Sequence, residues 1–290
     1  MPGVVIVNPN AGPDETSPAD VAAVFPGSEL REIEGEAVKG QIEQALAVSA
    51  PEFVAVAGGD GTIRCAAGVV AGTDVALLPV PAGTRNHFAK AVGIATVEAA
   101  GEAAAGGRIR LVDVGEVNGE VFVNNANVGA YPRIVSERKT HERRWSKQTA
   151  TLVAGLAQVR TLHKFTVTVD GDASYQAWMV FVGNGRYGTS VFDVGVRDTL
   201  DGGLLDVRIL RADGRLARLR VVLALLAGRV EGSPMAELDR VRSVELAFDR
   251  GHIDVALDGE IVPMSTPLRF RCRPGALRVL VPAEPEAAAP

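Results

Sequence analysis

The residues of this chain whose types and spacing best suit chemistry are Gly58, Gly59, Asp60, Gly61 and Thr62. Glycines let a main chain approach a phosphate closely, and the N–H groups opening a helix can point at it. Asp60 is the odd member. A carboxylate repels phosphate unless a cation lies between them, or unless it acts on a proton or an amide nearby. Taken alone, the five residues also suit a tight strand-to-helix turn with Asp60 as a helix cap. Two further polar, glycine-bearing loops stand out: Asn8-Pro9-Asn10-Ala11-Gly12, and residues 81–86 with Gly83, Thr84 and Asn86, followed by His87.

The flanks favour the phosphate reading. Phe53-Val54-Ala55-Val56-Ala57 is an apolar run that predicts a buried strand, and Ile63, Ala66, Ala67 and Val70 recur at helical spacing. Residues 1 to about 112 alternate in this way. Strands are expected at Val4–Val7, Leu30–Ile33 and Val75–Val80, with helices over Ala37–Val48, after Gly61, and from near Thr84. Near-continuous apolar strands with helices between them indicate a mostly parallel sheet covered on both faces, a three-layer α/β domain. Ligands of such sheets sit at the carboxyl ends of the strands. The three loops would then share one edge.

From about residue 113 the pattern becomes alternating. Strands are expected at Val121–Asn124, Phe165–Val169, Tyr175–Val180, Leu205–Ile209, Val244–Phe248 and Ile253–Leu257. Asp170-Gly171, Asp201-Gly202 and Asp258-Gly259 read as turns between them. This predicts an antiparallel β-sandwich-like second domain over 113–275, with a strand at about 276–283 returning to the first. Helical stretches over Ile134–Leu162 and Leu216–Arg229 interrupt it, and the tail 284–290 is expected to fray.

Composition narrows the function classes. The net charge of −5 gives no support to nucleic-acid binding. Two cysteines, Cys65 and Cys272, rule out a disulfide framework or zinc ribbon and fit a reducing compartment. No apolar run approaches a transmembrane span, so a cytoplasmic protein with at most peripheral membrane contact is expected. An exposed sheet edge would allow a homodimer.

Six segments in order carry a resemblance to a known family. They are Val7 to Gly12, Gly58 to Thr62, Pro81 to Ala89, Val182-Gly183-Asn184-Gly185, Asp201 to Val207, and Leu257-Asp258-Gly259-Glu260. The chain resembles the bacterial diacylglycerol-kinase-type lipid kinases, related to sphingosine kinases and more distantly to NAD kinases. The resemblance implies ATP-dependent transfer of the γ-phosphoryl group to a lipid hydroxyl, with a lipid cleft between the domains. It implies that Asn8, Asn10, Ala11, Gly12, Gly58, Gly59, Asp60, Gly61, Thr62, Gly83, Thr84, Asn86 and His87 surround the nucleotide. Glu260 matches the family's proton acceptor for the lipid hydroxyl. Asp60 would hold a catalytic Mg²⁺, directly or through water. An exposed hairpin acid is the bland alternative for Glu260.

Several residues depart from the family pattern. His87 stands where relatives carry an acid, and a neutral imidazole is a poor ligand for a hard cation. It could contact phosphate when protonated, or merely start a helix. Pro13 replaces a lysine, and Glu34-Gly35-Glu36 replaces a threonine-bearing stretch. Gly202 replaces an aspartate of an accessory Mg²⁺ site, leaving Asp201 and the Leu204 carbonyl as substitutes. Residues 136–147 carry Arg138, Lys139, Arg143, Arg144 and Lys147 around Trp145. That patch suits anionic lipid headgroups or a solvated helix face. His141, His163 and His252 form no metal-ligand spacing. Two other functions remain open: a nucleotide- or lipid-binding homologue without turnover, and a kinase of a soluble substrate such as NAD.

Overall fold

The computed structural model of this 290-residue chain describes residues 3–9, 17–33, 38–49, 51–129, 163–188, 197, 199–213, 235–237 and 240–283. Asn10, Ala11, Gly12, Pro13 and Glu34-Gly35-Glu36 lie outside them. So do the expected helices 134–162 and 216–229, the basic stretch 136–147 with His141, and the tail 284–290. The chain divides into two compact units, Met1–Val114 with Pro274–Pro290, and Gly115–Arg273.

The first unit contains β1 (Gly3–Val7), α1 (Pro18–Val24), β2 (Glu29–Glu32), α2 (Val38–Ser49) and β3 (Phe53–Gly58). It continues through α3 (Asp60–Val70), β4 (Ala76–Pro81), α4 (His87–Ala91), α5 (Val97–Gly106) and the start of β5 (Arg108–Val117). Strands β1, β2, β3 and β4 run parallel in the order β4-β3-β1-β2. Every residue of β3 and β4 is buried, as strands covered on both faces must be. Ser17 opens α1 with a reciprocal capping box to Asp20, and Thr96 caps α5 through the Ala99 N–H.

The connections position the loops. β1 leads to β2 on one side, whereas β2 leads back past β1 to β3. Right-handed crossovers then put α1 on one face and α2 and α3 on the other. The packing agrees: α2 meets α3, and α1 meets α5. Strand order therefore reverses between β1 and β3, which opens a crevice at their carboxyl ends.

The second unit continues from β5 through β6 (Glu120–Phe122), β7 (Asn125–Gly129), β8 (Phe165–Val169), β9 (Ala173–Asn184) and β10 (Leu205–Arg211). It ends with β11 (Met235–Glu237), β12 (Ser243–Phe248), β13 (His252–Leu257), β14 (Glu260–Ser265) and β15 (Leu268–Val281). Its ladders are antiparallel: β9 with β7, β8 and β10, β13 with β7 and β14, and β12 with β8 and β15. Phe122, Val128, Val180, Leu246, Leu257 and Phe270 lie in its core, with Phe122 edge-on to Phe270 at 6.3 Å. From Pro274 onward β15 belongs to the first unit, where Val279 lies opposite Leu77 of β4.

Three local expectations change. The strand expected over 121–124 stops at Phe122 and a second strand starts at Asn125, because the main-chain N–H groups of residues 123–125 turn toward a side chain instead of a neighbouring strand. The helix expected near Thr84 starts at His87, because the preceding residues close a turn of their own. Strand β15 begins at Leu268, well before the expected segment.

Candidate functional site

The loops after β1, β3 and β4 meet in the first unit. Asn8 Nδ2 donates to Thr62 Oγ1 at 3.0 Å, linking the β1 loop to the first turn of α3 across the crevice. Gly83 lies against Gly59, close enough that a Cβ on Gly83 would overlap the Gly59 Cα. A Cβ on Gly59 would meet nothing nearer than 3.8 Å, so that side of the loop is open. Gly59 is the N-cap of α3 and offers no side-chain acceptor, and Ile63 N–H is the one that donates to the Gly59 carbonyl. The first-turn amides of Asp60, Gly61 and Thr62 are thus oriented for an anion at a helix start.

Asp60 does not cap its own helix. One carboxylate oxygen accepts the Phe88 N–H at 3.2 Å, at the first turn of α4. Between them the β4 loop closes on itself. Gly83 N–H donates to Asn86 Oδ1 at 2.9 Å, and Asn86 Nδ2 donates to the Gly83 carbonyl at 2.7 Å. Asn86 takes the left-handed conformation (φ 54°), one of the few residue types that does so readily. His87 is half-buried as the first residue of α4, and Thr84 is exposed.

Glu260 belongs to the second unit. Asp258 (φ 50°) and Gly259 (φ 95°) form a two-residue hairpin turn with both central residues left-handed, and Leu257 pairs with Glu260 across it. Glu260 is exposed at the start of β14. Its neighbour Asp258 accepts three main-chain N–H groups: Val123 at 2.8 Å, Asn124 at 2.7 Å and Asn125 at 2.9 Å. Asp258 N–H returns a bond to the Asn125 carbonyl at 2.9 Å. The acid therefore rises from a turn that is fastened on both sides.

The proposed accessory cation residues show less convergence. Asp201 is exposed, and the Leu204 carbonyl accepts the Gly185 N–H at 3.1 Å. Among the described residues, no three acidic, histidine or cysteine side chains gather as a metal-binding cluster.

A buried polar network, absent from the sequence expectations, lies beside the Asp258 turn. Asp206 is 2% exposed and takes both Nε (2.9 Å) and Nη2 (2.6 Å) of Arg208, plus the Tyr187 N–H at 3.1 Å. Tyr187 donates its hydroxyl to the Asn124 carbonyl at 2.8 Å and stacks edge-on against Phe181. Burial pushes its phenol up to about 12, opposed by the Arg197 guanidinium. Arg197 itself donates to three acceptors on Val123, Asn124 and Asn184. The paired asparagines at 124 and 125, inside an apolar run, were the available signal.

Comparison with known proteins bears on both units. Residues 2–117 match the diacylglycerol kinase catalytic domain, and residues 128–281 match the YegS C-terminal NAD kinase beta sandwich-like domain. A Pseudomonas fluorescens protein named "Probable lipid kinase YegS-like" is 32% identical over 248 residues, 84% of this chain and 81% of that one. The chain belongs to the YegS-like lipid kinase family. Its fold is shared with solved structures of lower sequence identity. A diacylglycerol kinase from Bacillus anthracis superposes with a TM-score of 0.66 at 21% identity, covering 97% of this chain and 96% of that one. An NAD kinase from Archaeoglobus fulgidus in complex with ATP gives 0.51 at 11% identity, covering 97% and 94%. The α/β domain and the β-sandwich domain expected from the sequence are those of this lipid kinase family.

Proposed function

We propose that this member of the lipid kinase family transfers the γ-phosphoryl group of ATP to the hydroxyl of a lipid, diacylglycerol or a close relative of it. One observation carries the reading: Asn8 at the end of β1 and the glycine-bearing loops after β3 and β4 meet beside the reversal of strand order, joined by the Asn8–Thr62 bond and the Gly59–Gly83 contact. Phosphoryl transfer asks a protein mainly for alignment and charge neutralisation, and amide-lined loops supply alignment. The relatives named lipid kinases, and the NAD kinase relative that holds ATP, support the choice of donor and acceptor.

The roles follow from the chemistry of each group. The first-turn amides of α3 receive the phosphates, and Asn8 holds the Thr62 hydroxyl in place beside them. Asp60 spends one oxygen on Phe88 N–H and keeps carboxylate capacity on the other, a donor type suited to Mg²⁺ directly or through water. Mg²⁺ would neutralise charge on the transferring phosphates. Glu260, exposed and carried on a fastened turn, takes the proton of the lipid hydroxyl. The protein reaches its substrate by peripheral contact with a membrane surface.

The test is transfer of labelled phosphate from ATP to lipids in mixed micelles, with Glu260→Gln beside the wild type. Mg²⁺-dependent lipid product that falls by about 100-fold or more in the variant is expected. Folded protein that labels no lipid would sink the proposal.

A second reading, nucleotide binding without turnover, rests on specific substitutions. His87 offers no carboxylate, Gly202 no side-chain ligand, and the Leu204 carbonyl already accepts a main-chain N–H. It requires ATP binding with no product under any condition.

A further inference from the structure

Arg197 and Asp258 lie on opposite sides of the same peptide group. Arg197 Nη1 donates to the Val123 carbonyl at 2.6 Å, and the N–H of that peptide, on Asn124, donates to Asp258 Oδ1 at 2.7 Å. A cation pulling on the carbonyl oxygen polarises the amide and strengthens the bond its N–H gives. The adjoining peptide is treated in the same manner. The Asn124 carbonyl accepts the Tyr187 hydroxyl at 2.8 Å and the Asn184 N–H at 2.9 Å, while the Asn125 N–H donates to Asp258 Oδ1 at 2.9 Å. Both peptide planes are gripped from the carbonyl side and present their amides to one carboxylate.

Arg197 is the part of this arrangement that reaches furthest. Nη1 also donates to the Asn184 carbonyl at 3.2 Å, and Nη2 donates to Asn124 Oδ1 at 3.1 Å. One planar guanidinium thus ties the segment between β6 and β7 to the end of β9. A lysine ammonium cannot span these acceptors in the same plane. The residues held this way are the ones that fasten the Asp258-Gly259 turn, and the next residue is Glu260.

We propose that Arg197 is a positioning residue for the reaction, setting the attitude of Glu260 through the Val123–Asn124 peptide and Asp258. The proposal rests on the reading of Glu260 as proton acceptor. Arg197 touches no reacting atom. Its loss lets the 123–125 segment relax, loosens the three amides on Asp258, and lets the hairpin tip drift. Displacement of a reacting group by about 1 Å costs on the order of 100-fold in rate.

The experiment compares Arg197→Ala, Arg197→Lys, Glu260→Gln and the Arg197→Ala/Glu260→Gln double variant in the mixed-micelle assay, with added guanidinium as a rescue reagent. In Arg197→Ala, kcat falls by about 100-fold while the KM for ATP, whose loops belong to the first unit, is unchanged. Millimolar guanidinium restores part of the rate, Arg197→Lys falls between, and the double variant is no slower than Glu260→Gln. A general loss of folding would lower the folded fraction seen by circular dichroism, would not respond to guanidinium, and would add to the Glu260→Gln defect. That pattern overturns the proposal, as does wild-type kcat in Arg197→Ala when Glu260→Gln is inactive. Wild-type turnover in Glu260→Gln overturns the assignment of the acid and this proposal with it.

Discussion

Asp60 and Phe88 are joined by a hydrogen bond of 3.2 Å from the Phe88 N–H to an Asp60 carboxylate oxygen, across 28 residues of sequence. The acid at the head of one helix thus serves as the cap of another. Helix α4 has five residues, too few to hold itself together, and its own N-cap Asn86 gives it no side-chain cap, being bonded to Gly83 instead. The acid proposed to hold a cation is also the anchor that sets the β4 loop beside the β3 loop.

These two duties separate on substitution. Asp60→Asn keeps an oxygen for the Phe88 N–H but lacks the charge. It should melt near the wild-type temperature and turn over about 100-fold more slowly. Asp60→Ala should also lose about 1 kcal/mol of stability with the cap. Thermal melts and the kinase assay, run on both variants, check this. Equal destabilisation in the two would contradict it.

Gly83 packs main chain against main chain. An alanine there overlaps the Gly59 Cα and comes within 3.0 Å of Asn86 Oδ1, and the backbone cannot rotate away. Gly83→Ala should cost about 1–3 kcal/mol and weaken ATP binding about tenfold. Gly40, on α2 with nothing within 4 Å of an added Cβ, provides the control. Gly40→Ala should leave ATP affinity unchanged and raise stability by up to about 1 kcal/mol. Calorimetric titration with ATP distinguishes the two sites.

The Asn8–Thr62 bond predicts a coupled pair. Asn8→Ala and Thr62→Val should each weaken ATP binding by about five- to tenfold, the worth of one partly buried hydrogen bond. The double variant should be little worse than either alone. Full additivity in a titration series would show that the two side chains act independently.

Tyr187 predicts a pH response at the alkaline end. Its phenol is raised from 10.0 to about 12, chiefly by burial, so the folded protein holds this proton more tightly than the unfolded chain. Its contribution to stability is complete below pH 10 and is lost as pH rises through about 12. Denaturant unfolding of Tyr187→Phe should be less stable at neutral pH by about 1 kcal/mol for the lost bond to the Asn124 carbonyl. It should also show a shallower decline above pH 10 than the wild type.

Much of the first unit was legible because its signals are local. The apolar run into Gly58 and the helical spacing after Gly61 name a strand, a turn and a helix without knowledge of anything distant. The Asp258-Gly259 hairpin was legible for the same reason. What escaped was pairing. The Asp258 carboxylate meets residues 133–135 positions away, and Arg197 meets Val123 over 74. No spacing rule brings such residues together. The local pattern accordingly puts Asn124 at the end of a strand, although its amide is turned out of the ladder. The capping signal at Thr96 is local, yet the segment after it lacks the apolar periodicity that would mark α5 in the sequence expectation.

The two-residue turn at Asp258-Gly259 carries an evolutionary consequence. Side chains along a strand alternate between its sides, and Glu260 is the first residue of β14. One codon inserted or deleted just upstream would carry this carboxylate to the other surface of the ribbon. A change in length at this spot is excluded as firmly as loss of the Asp258 carboxylate or of the left-handed glycine at 259, and homologues should keep the same residue count here.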